Sequence, residues 1–296
     1  MELRLLATFE KVATVLSFTR AAAELGYAQS SVTGQIRSLE SSLGVELFER
    51  LGSRIRLTEA GERLLPYARG MAELAEEART AVAATADPTG TIAVGTMESL
   101  TSYRLPPLLE YFHHRYPAVR LTLRPTLGDE TRQALRQGTY DVGFLMEPDT
   151  EHEGLESEVL APEPLVLVAG PGHPLVGRTG LTAADLAGAQ LVGTEPGCPY
   201  RDLFEAELRE WAPPFMEFGT IEATKRGVAA GLGVALLPRV AVAAELTSGT
   251  LVALDWEAPF TLFTQLAWRR GKRLPAHVRL FVEQARRLVR EQSPTG

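Results

Sequence analysis

Apolar residues recur at helical spacing through the first part of the chain, and their period changes near residue 90. Leu6, Phe9, Ala13 and Leu16 form one stripe, which predicts a first helix with a single buried face. Ser17 stands where an N-cap belongs, ahead of the run Phe18-Thr19-Arg20-Ala21-Ala22-Ala23-Glu24-Leu25, and Gly26 closes that second helix. A third helix turns Val32, Ile36, Leu39 and Leu43 inward and Gln29, Ser30, Thr33 and Arg37 outward, and Gly44 stops it. Ser53 to Leu57 alternates polar and apolar beside a Gly-Ser turn, the pattern of a small β-hairpin or wing. Thr58 then caps a long helix to about Ala86, whose Leu64, Ala68, Met71, Ala75, Ala78 and Val82 are spaced 4-3-4-3-4 like a heptad seam. Pro66 should kink that helix or mark a boundary, and Asp87-Pro88-Thr89-Gly90 reads as a hinge.

From Thr91 onward short β-rich runs alternate with helical ones. The first series is Thr91–Gly95, helix Leu105–Arg115, Leu121–Pro125, helix Glu130–Gln137 and Asp141–Leu145. The second is Leu165–Ala169, Leu191–Gly193, helix Tyr200–Trp211, Met216–Gly219, helix Glu222–Ala230 and Val234–Leu237. Strands alternating with helices predict parallel sheets covered on both faces. The stretch is long for one such unit, so two lobes are expected, with a crossing near Ala161 and a return near Leu266.

The composition, 45% hydrophobic and 23% charged over 296 residues, is that of a globular chain of about two domains. Cys198 is the only cysteine, which excludes a disulfide framework and a cysteine-based zinc cluster. No apolar run approaches the ~20 residues needed to span a bilayer. The start Met1-Glu2-Leu3-Arg4 leads into an amphipathic pattern, so a cytoplasmic location without a membrane partner is expected.

A net charge of −7 argues by itself against nucleic acid, but the charge is unevenly placed. Residues 1–66 carry 8 basic and 8 acidic residues, residues 67–89 carry 2 and 4, residues 90–266 carry 12 and 23, and residues 267–296 carry 8 and 2. The acidity therefore belongs to the middle of the chain, and the first segment must be judged by where its basic residues point.

Ser17 to Leu43 has the layout of a helix-turn-helix: a short helix, a turn at Gly26-Tyr27, and a second helix with a small polar face. Gln29 suits adenine, Ser30 and Thr33 suit bases or phosphates, and Arg37 suits phosphate or guanine. The plainer alternative is a three-helix packing module with a solvated face.

The run SFTRAAAELGYAQSSVTGQIRSLE, followed by LGVELFER and RIRLTEAGERLL, resembles the LysR-type transcriptional regulators. Ala21-Ala22, Leu25, Gln29-Ser30, Val32-Thr33, Gln35-Ile36, Leu39-Glu40, Leu43-Gly44, Leu47-Phe48, Arg50, Leu57-Thr58 and Ala60-Gly61 fall in register. Further along, LPPLLEYFHHRYPAVRLTL, QGTYDVGFL, GHPLVG and GVAAGLGVALLP resemble landmarks of the family's effector domain, so the likeness spans the chain. It implies an all-α winged helix-turn-helix with a long linker helix, then an α/β effector domain of two lobes like a periplasmic binding protein. The implied boundaries are 1–58 for the winged helix-turn-helix, 59–89 for the dimerising linker and hinge, and 90–296 for the effector domain. Its lobe I would take about 90–161 and 267–296, and lobe II about 162–266. The implied partners are double-stranded DNA at a dyad promoter site, a small-molecule effector, and further copies of the chain, as a homodimer through the linker and a homotetramer beyond it. Carried onto this sequence, the groove residues are Gln29, Ser30, Ser31, Thr33 and Arg37, and the wing residues are Arg50, Arg54 and Arg56. Gly34 departs from the family, which often has a larger polar or basic residue there.

In open α/β lobes ligands bind at the carboxyl ends of strands, against helix N-termini. Loops of that kind are Met97–Thr101, Thr126–Gly128, Glu195–Arg201 and Gly219–Glu222. The resemblance places effector contacts on them, at Ser99, Leu100, Thr126, Cys198, Tyr200, Arg201, Thr220 and Ile221, with Met146 on the hinge side. For a single serine or threonine the alternative is a plain N-cap. Glu98, Glu147, Glu195 and Glu222 fall at or beside the loops and Arg201 is the main basic candidate, so an amphoteric, cationic or weakly charged effector is expected.

Cys198 stands at a helix start with Arg201 one turn on, a setting that stabilises a thiolate and resembles the sensor stretch of peroxide-sensing relatives, shifted by one position. Lining a pocket, plain packing and single-cysteine redox sensing all remain open. Adjacent His113 and His114 point about 100° apart on a helix and cannot chelate one metal, so neither a metal nor a cofactor is expected. No nucleophile elbow or phosphate loop is present, and no catalytic role is expected. Rival readings are a cytoplasmic solute-binding protein with a helical adaptor and an enzyme with Cys198 as nucleophile. The basic tail, Arg269 to Arg290, is read as the solvated face of a terminal helix packed through Val278, Phe281, Val282 and Leu288.

Overall fold

The computed structural model of the chain describes residues 2–51, 54–82, 88–211 and 213–292. It divides into two compact units, Met1–Ala86 and Asp87–Gly296.

The first unit opens with α1 (Leu3–Val15), α2 (Phe18–Leu25) and α3 (Gln29–Leu43). An antiparallel hairpin of β1 (Phe48–Leu51) and β2 (Arg54–Leu57) follows, then α4 (Glu59–Val82). The expected caps form: Ser17 Oγ accepts from Arg20 N at 3.3 Å, and Thr58 Oγ1 accepts from Gly61 N at 3.1 Å. Gly26 ends α2 in the left-handed conformation at φ 68°, where a Cβ is disfavoured. Leu6, Phe9, Val12, Ala21, Val32, Ile36 and Leu39 are buried, and Phe48 closes the core with its ring 5.4 Å from Phe9 and 5.7 Å from Phe18. Each of these side chains larger than alanine contributes about 1.5–3 kcal/mol on burial. Two expectations shift. Leu16 lies outside α1 in a left-handed conformation, because the chain must turn there for Ser17 to start α2. Pro66 does not end the long helix, which runs through it.

The second unit begins with β3 (Gly90–Thr96), α5 (Glu98–Tyr103), α6 (Pro106–Arg115), β4 (Val119–Pro125), α7 (Gly128–Arg136), β5 (Val142–Glu147) and β6 (Leu155–Glu163). It continues through β7 (Leu165–Ala169), β8 (Leu191–Gly193), α8 (Pro199–Glu207), β9 (Phe215–Glu217) and α9 (Ile221–Ala229). Last come β10 (Val234–Pro238), α10 (Arg239–Ser248), β11 (Val252–Ala253), β12 (Leu262–Arg269) and α11 (Ala276–Glu291). Among the described residues they form two five-stranded sheets, ordered β4-β3-β5-β12-β6 and β11-β7-β10-β8-β9. The sheets are the layers of two lobes. The chain passes between them from β6 to β7 and again from β11 to β12.

The sheets are mixed rather than parallel. β3 runs parallel to β4 and β5, but β12 is antiparallel to both β5 and β6, and β7 is antiparallel to β10 and β11. The reversals come from the two crossings, which bring strands in from the opposite lobe. The return falls before Leu262 rather than near Leu266, and β6 continues past Ala161 to Glu163. Polar Thr264 and Gln265 obscured β12. Both are buried, and their donors find acceptors on neighbouring segments: Thr264 Oγ1 donates to Glu163 Oε2 at 3.0 Å, and Gln265 Nε2 to Pro148 O at 2.8 Å. α11 packs as expected through Val278, Phe281 and Val282, with Phe281 5.3 Å from Phe112.

Candidate functional site

α3 presents an unbroken polar face. Gln29, Ser30, Ser31 and Arg37 are exposed and Thr33 is half-buried, while Val32, Ile36 and Leu39 on the other side are buried. Gln29, Thr33 and Arg37 stand four residues apart and so share one side. Thr19 Oγ1 of α2 donates to Gln29 Oε1 at 3.2 Å, and Thr8 Oγ1 of α1 donates to Gln35 Oε1 at 2.6 Å, which orients α3 on its neighbours. A Cβ at Gly34 would meet nothing within 4 Å, so this glycine leaves open space on the polar side rather than serving the packing. In the hairpin, Arg56 is exposed and donates through Nε to Glu49 Oε2 on the facing strand at 2.6 Å. The side chains of Arg50 and Arg54 lie outside the described residues.

In the second unit a cavity of about 390 Å³ opens between the lobes. Lobe I contributes Met97, Glu98, Ser99, Pro125, Thr126, Leu127 and Glu130. Lobe II contributes Thr194, Glu195, Cys198, Tyr200, Gly219, Thr220 and Ile221. These residues sit where β3, β4, β8 and β9 hand over to α5, α7, α8 and α9, as the strand-end rule requires. Of the expected residues, Ser99, Thr126, Cys198, Tyr200, Thr220 and Ile221 come together on this wall. Thr220 Oγ1 also caps α9 by accepting from Ala223 N at 3.2 Å, so capping and lining coincide there.

Three expected residues are elsewhere. Leu100 and Met146 are buried in the hydrophobic core of the unit. Arg201 turns away from the cavity under the Phe215 ring, 4.3 Å from its centroid. There it donates to Thr194 O, to Glu205 Oε1 at 2.9 Å and to Glu217 Oε2 at 3.1 Å. Of the four acidic residues, Glu98 and Glu195 line the cavity. Glu147 pairs instead with Arg132 and His152, and Glu222 with Lys225 and Arg226. Sequence reasoning missed Glu130, in the first turn of α7, and Thr194, the residue that follows β8; the strand-end position was the available signal for Thr194.

The electrostatics bear on the redox alternative. Cys198 is buried, and that burial pushes its thiol up to about 11. With Arg201 engaged behind the wall, no cation offsets the desolvation, and the thiol is protonated at neutral pH. Burial likewise pushes the Tyr200 hydroxyl well above its ordinary value, and the adjoining Cys198 adds to the effect. Among the described residues no cluster of His, Cys, Asp or Glu is suited to hold a metal ion, and no helix is long and apolar enough to cross a membrane.

A helix-turn-helix head with a hairpin and a long helix, followed in the chain by a two-lobed domain with a cavity between its lobes, defines the LysR-type transcriptional regulators, and the chain belongs to that family. The family model described as bacterial regulatory helix-turn-helix protein, lysR family, matches residues 3–62, and the LysR substrate binding domain matches residues 85–290. Among particular proteins, the chain is 39% identical over 290 residues to the HTH-type transcriptional regulator YwqM of Bacillus subtilis, covering 97% of this chain and 99% of that one. It is 35% identical to YfiE of Escherichia coli, another HTH-type transcriptional regulator, over 96% of this chain and 97% of that one. A full-length OxyR variant from Pseudomonas aeruginosa has a similar structure, with a TM-score of 0.79 and 25% identity over 97% of this chain and 95% of its own. The matched relatives are regulators of transcription rather than enzymes.

Proposed function

We propose that this regulator binds a dyad promoter site as a homo-oligomer and changes its grip on DNA when a small effector enters the interlobe cavity. Gln29, Ser30, Ser31, Thr33 and Arg37 enter the major groove, while Arg50, Arg54 and Arg56 of the hairpin approach the backbone. The effector contacts are Ser99, Thr126, Cys198, Tyr200, Thr220 and Ile221; Leu100, Met146 and Arg201 act behind them. Of the expected seam, Leu64 and Ala68 pack into the head, so exposed Tyr67, Met71 and Leu74 along α4 supply the apolar surface for pairing with a second copy.

The observation that carries this reading is a cavity walled by both lobes. A ligand touching both shifts their spacing, and a lobe movement is a two-state element that a small molecule can bias. The experiment selects duplexes from a random library with the full chain, then measures affinity for the winner by fluorescence anisotropy across a metabolite panel. An enriched inverted repeat, with at least one panel member changing affinity in the wild type but not in Thr220→Val, is the expected outcome. Enrichment of no sequence, or an effector response that Thr220→Val leaves unchanged, would count against the proposal.

Burial speaks against the redox alternative, because peroxide reacts with thiolate and Cys198 is held as the thiol.

A further inference from the structure

Taking the interlobe cavity as the effector site, we propose that its ligand is a small amine, bearing a cationic nitrogen and no net negative charge. Among the described residues, the charged ones lining the cavity are Glu98, Glu130 and Glu195, with no lysine, arginine or histidine. Neither Glu130 nor Glu195 has an ion-pair partner among the described residues. Of the arginines near these loops, Arg201 is spent on Glu205 and Glu217 and Arg132 on Asp129 and Glu147, while Arg124, next to Pro125, is exposed and is not among the residues lining the cavity.

A carboxylate ligand would normally find its place on the helix N-termini that face such a cleft. Here the chain's own carboxylates take up N–H groups at the starts of α8 and α9. Glu98 of lobe I reaches across the cleft, and its Oε2 accepts from Ile221 N, at the start of α9 in lobe II, at 3.0 Å. Gly197 N, just ahead of α8, donates to Asp202 Oδ1 at 3.1 Å. α7 opens with Asp129 and Glu130 in its first turn. An incoming anion therefore meets three carboxylates, and N–H groups already taken at α8 and α9, whereas an ammonium meets acceptors. Glu98 Oε1 has no partner among the described residues.

A second, independent feature points to a ligand with a hydrogen-bonding group. Ser99 lines the cavity and is only 2% exposed, and its Oγ has no hydrogen-bond partner among the described residues. A buried hydroxyl in that condition is costly unless something completes it. Cys198 and Tyr200, both protonated at neutral pH, complete the wall without adding charge.

The test uses the full chain labelled at methionine and isoleucine methyls, with Met97 and Ile221 of the cavity wall as reporters. Two nitroxides of matched size are added in turn, amino-TEMPO as the cation and carboxy-TEMPO as the anion, and methyl relaxation is measured by NMR. The cation is expected to enhance relaxation at both methyls at least about threefold more than the anion, since a carboxylate-lined cleft concentrates counter-ions. In the double variant E130Q/E195Q, which leaves Glu98 on α9, the ratio should fall towards one. An anion that reaches these methyls as well as the cation overturns the amine assignment while leaving the cleft a small-molecule site. If neither nitroxide reaches them, the cleft is closed and the effector reading beneath the proposal fails instead.

Discussion

At the scale of single residues, Cys198 shows how burial overrides position. Its place at the start of α8 favours a thiolate, since the helix N-terminus carries partial positive charge. Desolvation acts the other way and is the larger effect, pushing the thiol up to about 11 from an ordinary value near 9. Because the folded value lies above the unfolded one, the associated stability is fully present below about pH 9 and is lost as pH rises towards 11. That displacement of the thiol corresponds to roughly 2–3 kcal/mol. Urea unfolding across that range should show Cys198→Ala losing less stability with alkali than the wild type, by an amount of that order. Equal slopes for the two chains would show that the thiol is not buried as described. Iodoacetamide gives an independent check, with alkylation of the native chain at neutral pH expected to be far slower than after unfolding.

At the scale of elements, α3 and α4 separate packing from recognition. Arg37 projects from α3 away from Val32, Ile36 and Leu39, so Arg37→Ala should cost DNA affinity without unfolding the head. A loss of about 1–3 kcal/mol in binding, with unchanged melting and unchanged mass by light scattering, is the expected outcome. Wild-type affinity in the variant would remove Arg37 from the groove. The glycines behave oppositely under the same substitution. Gly34→Ala meets open space and should stabilise α3 by up to about 1 kcal/mol. Gly61→Ala drives a Cβ into the carbonyl of Leu47 and the Leu57 side chain, and should lower the head's stability by at least about 1–3 kcal/mol. Thermal melts of the two variants should therefore move in opposite directions.

At the scale of the second unit, the crossings between lobes carry a buried polar anchor. Glu163, at the end of β6, receives Arg104 Nε at 3.0 Å and Nη2 at 2.9 Å, and it also receives Thr264 Oγ1 of the returning strand. The Arg104 and Glu163 side chains are 5% and 0% exposed, so removing one strands the other's charge. Glu163→Ala should cost about 3–5 kcal/mol, whereas replacing both partners by methionine should cost much less. Calorimetry on both variants decides between an anchor and a bystander. Two further contacts join the lobes, Glu98 to Ile221 N and Lys225 Nζ to Tyr103 Oη at 3.3 Å. Anchors at the crossings and lighter contacts at the cleft are what a hinged pair of lobes requires.

Local chemistry was enough to read the head from the sequence. Ser17, Gly26, Gly44 and Thr58 cap or terminate their elements through contacts a few residues long, and the apolar stripes of α1 and α3 have one face to bury. The alternation after residue 90 likewise announced two α/β lobes, and strand-end loops announced most of the cavity wall. Tertiary structure alone decided three matters. β12, with Thr264 and Gln265 at its centre, looks unlike a buried strand until Glu163 and Pro148 supply partners from a hundred residues away. Arg201 looks like a ligand-binding arginine until Phe215, Glu205 and Glu217 claim it. Cys198 looks like a thiolate until its surroundings exclude water. Each depends on which groups from distant positions remove solvent or satisfy a charge, and no local spacing encodes that.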